Sequence, residues 1–310
     1  MAVEKREAYF TSSNGINKVR TLIWEEKDRK PVGIVQIAHG LSEHIGRYDE
    51  FARFLASKGF VVCGNDHLGH GKTAVGFSPL GYVERGDHVN MVRDMNTLHN
   101  IMVKRFPGLP YFIFGHSMGS LLARIYCSAF GDTLSGAVFC ATLQLPEAML
   151  LFEDPVEKIL SFFPEEDTSV NSLNELFGKL TRWYYKGLSN YSWLSENEEN
   201  IASFVSDPLC GAPISSALAR ELVTMAVKVS SPDWAKKIPE ELPVLLISGA
   251  KDAVGFFGRG VVAVEDALKA AGVETEMYLY PASRHEILNE DCKESVFRDV
   301  YDFLEDIIDD

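Results

Sequence analysis

No apolar run in the chain approaches the length of a membrane span, and the opening Met-Ala-Val-Glu-Lys-Arg-Glu-Ala mixes acids with bases without a hydrophobic stretch behind it. A secretory signal, a transit peptide and a transmembrane helix are therefore not expected. Bases are in deficit, 30 against 44 acids, and the resulting net charge of -14 disfavours nucleic acid, an anionic membrane surface or a polyphosphate as the main partner. Cysteine is sparse. The five residues, at 63, 127, 140, 210 and 292, have no metal-ligand spacing, which predicts reduced thiols in a cytoplasmic protein. Internal repeats, low-complexity tracts and linkers are missing as well.

What remains is a globular composition, 310 residues of which 46% are hydrophobic, enough for one large core with an insertion. Short apolar runs alternate with helical periodicity. Strands are predicted at Lys18 to Trp24, Gly33 to Ala38, Phe60 to Asn65, Tyr111 to Phe114, Gly136 to Ala141, Val244 to Ser248 and Thr275 to Tyr280. Helical patterns lie between them at Tyr48 to Ser57, Val89 to Phe106, Arg259 to Ala271 and Glu294 to Ile308. This order implies an α/β fold with a mostly parallel sheet and helices on both faces. The alternation stops between residues 145 and 241, an aromatic-rich interval that reads as several short helices. It is expected to form a helical cap over a core made of residues 1–144 and 242–310. Within it, Ala148 to Phe152 and Ile159 to Phe163 offer an apolar face suited to lining an acyl tunnel, or simply to packing.

The chemistry is concentrated at strand ends. Tyr111-Phe-Ile-Phe-Gly-His-Ser-Met-Gly119 runs from a strand through Gly-x-Ser-x-Gly into a helix, the form of a nucleophile elbow. The turn is too tight for Cβ atoms beside the apex, hence Gly115 and Gly119, and Ser117 becomes the candidate nucleophile. An acyl-transfer serine needs a base, an orienting acid and oxyanion donors. Asp252 follows one buried strand and His285 follows the next, in the order Ser, Asp, His of the α/β-hydrolases. Read separately, each has an ordinary use, Asp252 as a helix cap and His285 as half of a solvated pair with Glu286. The backbone N–H groups of Leu41, in the loop His39-Gly-Leu-Ser-Glu-His44, and of Met118 are the candidate oxyanion donors.

His-Gly-x-x-Glu-His with Arg47-Tyr48 behind it, then Asn65-Asp-His-Leu-Gly-His-Gly71, then Gly-His-Ser-Met-Gly, resembles the monoacylglycerol lipase and lysophospholipase group of serine aminopeptidase-like hydrolases. The segments Ser248 to Gly255 and Ser283 to Glu290 are similar to that group's acid and histidine loops. Ser120 departs from the usual second glycine after Gly119, and Ala253 from the proline that commonly follows the acid. The resemblance implies a cofactor-free serine hydrolase of monoacyl lipids, with His39 and Gly40 bracing the site and His67 and His70 in supporting turns. Histidines 39, 44, 67, 70 and 88 fit no closed ligand set, so no metal is expected. Two other functions stay open: a proline iminopeptidase-like aminopeptidase using cap acids such as Glu153, Asp154, Glu165, Glu166 or Asp167, and a non-catalytic binding protein on the same fold.

Overall fold

A computed structural model describes residues 2–74, 76–150, 158 and 162–309. Eight strands form one sheet: β1 Val3–Thr11, β2 Lys18–Glu26, β3 Gly33–Ala38, β4 Phe60–Asn65, β5 Tyr111–His116, β6 Gly136–Cys140, β7 Val244–Gly249 and β8 Thr275–Tyr280. Their order across the sheet is β1-β2-β4-β3-β5-β6-β7-β8. β1 and β2 pair antiparallel, β2 pairs antiparallel with β4, and all the remaining pairs are parallel. This is the α/β-hydrolase fold expected from the sequence.

The central strands β3 to β7 are buried along their whole length because both faces are covered, and their sequences are largely apolar. Side chains alternate between the faces. Phe112, Phe114, Leu245 and Ile247 meet helices α1 (Asp49–Ser57) and α8 (Lys293–Asp309). Ile113, Phe139, Val244 and Leu246 meet the other layer, α2 (Asp87–Arg105), α3 (Met118–Phe130) and α7 (Arg259–Ala270). A residue such as Phe112, with no exposed surface, contributes about 1.5–3 kcal/mol through burial. β1 was not predicted. Its Val-Glu-Lys-Arg-Glu-Ala-Tyr-Phe-Thr has no fully buried position and forms an exposed edge, so it lacks an apolar run to betray it.

Between β6 and β7 the chain forms α4 (Asn171–Tyr185), α5 (Glu198–Ser206) and α6 (Ser216–Ser230), with no strand among the described residues. Asn197 caps α5 by accepting from the N–H groups of Glu199 and Asn200, and Ser215 caps α6 by accepting from Leu218 N–H. α6 is not peripheral: Leu218, Met225 and Val229 share the core cluster with Leu121 and Leu122 of α3. Arg124 of α3, fully buried, donates to Leu143 O at 2.6 Å, Gln144 Oε1 at 2.8 Å and Val229 O at 2.7 Å. That one side chain joins the start of the insertion to the end of α6.

All five cysteines are free, and Cys63, Cys127 and Cys140 are buried. No helix among the described residues is long and apolar enough to cross a membrane.

Candidate active site

The parallel strands deliver their following loops to one edge of the sheet, which is why residues far apart in sequence meet there. Ser117 sits between β5 and α3 with φ 53° and ψ -120°, a conformation costly for a non-glycine residue and maintained by its surroundings. A Cβ on Gly119 would lie 2.1 Å from Ala38 O, and one on Gly115 2.4 Å from Gly119 O. Both positions are thereby restricted to glycine. Ser120 uses its hydroxyl to bond Ser117 O at 2.6 Å, tightening the first turn of α3 where a second glycine is common in the resembled group.

Asp252 lies in the loop after β7 and His285 in the loop after β8. His285 Nε2 is 2.8 Å from Ser117 Oγ, and His285 Nδ1 is 2.8 Å from Asp252 Oδ2. Asp252 is fully buried, and its other oxygen accepts from Val254 N–H at 2.8 Å. The three candidates from three strand ends thus form one continuous relay. The elements above it add a wall: Trp193 packs its ring 5.2 Å from that of His285. Arg284 donates to the carbonyls of Ser192 and Ser195 and pairs with Glu196.

Gly40 is held from both sides. Its N–H donates to Glu43 Oε1 at 2.5 Å, and its carbonyl accepts from His39 Nδ1 at 2.8 Å. His39 Nε2 accepts from His67 N–H at 3.0 Å, so the ring is a neutral Nδ1–H tautomer. Burial, which lowers its pKa, favours the same state. Because the N–H of Leu41 shares a peptide plane with the Gly40 carbonyl and points the opposite way, fixing the one aims the other. The Met118 N–H, in the first turn of α3, has no intrahelical acceptor. Leu41 and Ser117 both line the same cavity.

That cavity has a volume of about 600 Å³. Its upper wall is aromatic and aliphatic, from Phe177, Tyr191, Trp193, Leu194 and Phe204 of the insertion, joined by Val254 and Phe256 from the acid loop. Of the tunnel segments expected from sequence, no described residue is among its lining. Phe162 is 78% exposed and does not line the cavity, while Leu151, Phe152, Ile159 and Leu160 lie outside the described residues.

The sequence reading gave no place in the site to four ionisable residues below it. Glu43 Oε1 accepts from Tyr48 OH at 2.7 Å and faces His116 Nδ1 at 3.3 Å, and Glu43 Oε2 faces Arg47 Nε at 3.3 Å. Arg47 also pairs with Glu286 at 2.6 Å, which accepts from Asn200 at 2.7 Å. A signal was available: His116 ends a strand that is otherwise apolar and aromatic, where an ionisable side chain needs a buried partner.

Of the remaining histidines, His67 and His70 stack near His39 in the interior, with ring centroids 4.3 and 5.3 Å from it. His88 pairs with Glu221 of α6. His44 lies close to Asp207 and Cys210, but its Nδ1 accepts from Gly46 N–H and its Nε2 contacts Asp207 at 2.9 Å, which engages both ring nitrogens.

Residues 29–292 match the family described as "Serine aminopeptidase, S33". The chain belongs to this family. Among the relatives of this S33 protein, the monoacylglycerol lipase of Mycolicibacterium smegmatis is 26% identical, the match covering 94% of each chain. The monoglyceride lipase of Homo sapiens is 30% identical over 72% of this chain and 66% of its own length. A solved structure of a thermostable carboxyl esterase from Bacillus coagulans, in complex with glycerol, superposes with a TM-score of 0.91 at 33% identity over 99% of both chains.

Proposed function

We propose that this S33 hydrolase cleaves carboxylic esters of monoacyl lipids, such as monoacylglycerols or lysophospholipids, through an acyl-enzyme on Ser117. The observation that carries the reading is the unbroken 2.8 Å plus 2.8 Å relay from Ser117 Oγ through His285 to Asp252. Ser117 Oγ attacks the ester carbonyl carbon as His285 Nε2 takes its proton, and Asp252 holds the Nδ1–H and stabilises the imidazolium. The carbonyl oxygen becomes an oxyanion received by the N–H groups of Leu41 and Met118. Collapse of this intermediate breaks the C–O bond, and His285 returns the proton to the departing alcohol. Water then repeats the sequence on the acyl carbon, releasing the fatty acid and free Ser117. None of these steps calls for a cofactor.

The lipid substrate class is supported by the lipase relatives and by the aromatic wall of the cavity. Transient contact of the cap with a lipid surface belongs to the same reading. On α4, Leu176, Leu180, Trp183 and Tyr184 recur at helical spacing with 53–80% of their surface exposed. Lys179, Arg182 and Lys186 flank them, so the local charge runs against the acidity of the whole chain. The five free thiols suit a cytoplasmic setting. An aminopeptidase needs a carboxylate free to meet a substrate amine. Of the acids weighed for that role, Glu153 and Asp154 lie outside the described residues and Glu165, Glu166 and Asp167 do not line the cavity, while the cavity acids Glu43 and Glu286 are engaged by Arg47. A non-catalytic role would leave the strained Ser117 and its relay without use.

Hydrolysis of p-nitrophenyl esters from acetate to palmitate, alongside monoacylglycerol, lysophosphatidylcholine and a prolyl arylamide, tests the reading. Medium or long acyl esters are expected to be preferred, with activity and fluorophosphonate labelling lost together in Ser117→Ala. Preference for the arylamide, or activity retained in Ser117→Ala, would overturn it.

A further inference from the structure

Glu43, His116, Arg47 and Glu286 close on themselves. Glu43 contacts His116, His116 Nε2 lies 3.2 Å from the backbone carbonyl of His285, the next residue Glu286 pairs with Arg47, and Arg47 returns to Glu43. The protonation state of the ring follows from which atoms can donate. Glu43 faces Gly40 N–H, Tyr48 O–H, Arg47 and His116, all donors, so it is an ionised acceptor. The His285 carbonyl is also only an acceptor. Both nitrogens of His116 therefore face acceptors, and an imidazole with a hydrogen on each nitrogen is an imidazolium. Burial opposes that charge, but the hydrogen bond and proximity of Glu43 outweigh it and raise the pKa of His116. Glu43 is held low by the same partner together with Arg47. Two acids and two bases make the ring neutral overall, which allows it to be buried.

We propose that His116 is a doubly protonated positioning residue that, through the ring with Glu43, Arg47 and Glu286, holds the base loop and the oxyanion loop in register. Glu43 grips Gly40, which sets the Leu41 N–H, and the same carboxylate grips His285 by way of His116. One carboxylate thus fixes both the donor that meets the oxyanion and the base that moves the proton. On the far side Arg47 and Asn200 hold Glu286, and Glu286 N–H donates to Leu194 O at 2.7 Å in the cavity wall. The groups facing His116 are Glu43, Tyr48 and the His285 ring, whose centroids lie 6.3 and 5.0 Å from its own for the last two, with Glu286 acting through charge. This assignment rests on the hydrolase reading only for its kinetic consequence. The protonation state stands without it.

The experiment has two arms. In protein labelled with ¹⁵N at histidine, His116 is expected to show two ring N–H signals from pH 5 to 8, assigned by their loss in His116→Phe. The signals are read in the wild type, and His116→Gln serves for the assignment if His116→Phe does not fold. A neutral His116 with one unprotonated nitrogen overturns the proposal. In the second arm Glu43→Gln is expected to lower kcat on a soluble ester by about tenfold or more with KM changed less than about threefold, as for loss of alignment rather than of substrate contact. Glu43→Asp, which restores the charge, should recover part of kcat and the second ring proton. Activity in Glu43→Gln within twofold of wild type, with His116 still doubly protonated, also overturns it. Loss of ester hydrolysis by the wild type would instead strike the proposed function and leave the NMR result standing.

Discussion

Helices α4 and α6 lie in the same insertion, have the same length of 15 residues and are both amphipathic, yet they are put to opposite uses. α6 buries Leu218, Met225 and Val229 in the core, ties to α2 through Glu221 and His88, and ends against Arg124. α4 rests on Gly178 and Thr181 and turns Leu176, Leu180 and Trp183 outward. Periodicity tells that a helix has an apolar face but not what meets it. α4 is thereby the more loosely held helix of the insertion, while α6 behaves energetically as part of the base.

The largest test of that contrast is Arg124→Met. It strips donors from Leu143 O and Val229 O in a buried site and removes the guanidinium from over the Trp234 ring, 4.0 Å away. A loss of about 3 kcal/mol or more is expected by urea denaturation, since each stranded acceptor costs about 1–3 kcal/mol. A loss below about 1 kcal/mol would mean that α6 is only loosely joined. A matched pair of truncations follows. Leu218→Ala should cost about 2–5 kcal/mol, whereas Leu180→Ala on α4 should stay within about 0.5 kcal/mol. Equal losses would erase the distinction between the helices.

Acidification separates the base from the cap in another way. His70 is buried beside His39, and that burial lowers its pKa to about 4; His39 and His67 shift in the same direction for the same cause. The folded pKa lies below the unfolded one, so the unfolded chain binds more protons in the interval between them. Stability is then complete above about pH 6.5 and falls as pH drops toward about 4, with His70 alone accounting for about 3 kcal/mol. Denaturation midpoints between pH 7 and 4.5 check this, and His70→Asn should flatten the slope. A midpoint independent of pH over that range would show these rings to be solvated.

The smallest expected effect is on the isolated molecule, and it concerns α4. Leu180→Ser with Trp183→Ser should leave the melting temperature and the rate on a soluble short ester close to wild type. Co-sedimentation with vesicles containing phosphatidylglycerol should nevertheless fall severalfold, and salt should weaken what remains. Unchanged sedimentation would assign the exposed stripe to something other than lipid.

The sheet was legible because β3 to β7 are covered on both faces and so read as largely apolar runs. The relay was legible because each member follows such a run directly. β1 escaped because an exposed edge strand carries charges in place of a pattern. The ring of Glu43, Arg47, His116 and Glu286 escaped for a different reason: its members come from three segments, the stretch holding Glu43 and Arg47, the end of β5 and the histidine loop, and only the closing of loops at one sheet edge gives them partners. Aromatic content within the insertion does not locate the cavity wall, because it does not distinguish Trp193, against the His285 ring, from Phe162, facing water.

The buried thiols make the molecule its own recorder of opening. Burial pushes the Cys63 thiol up to about 12 and raises Cys127 and Cys140 as well, so in the closed fold none of the three presents a thiolate to a reagent. They sit on β4, α3 and β6, in the buried interior of the base, where Cys127 shares a core cluster with Leu218, Met225 and Val229 of α6. Alkylation at these positions therefore counts excursions of the core, and a lid that lifts without disturbing the core would pass unrecorded. Failure of the fold can in this way be timed apart from any motion of the insertion that spares the core, in one untagged chain.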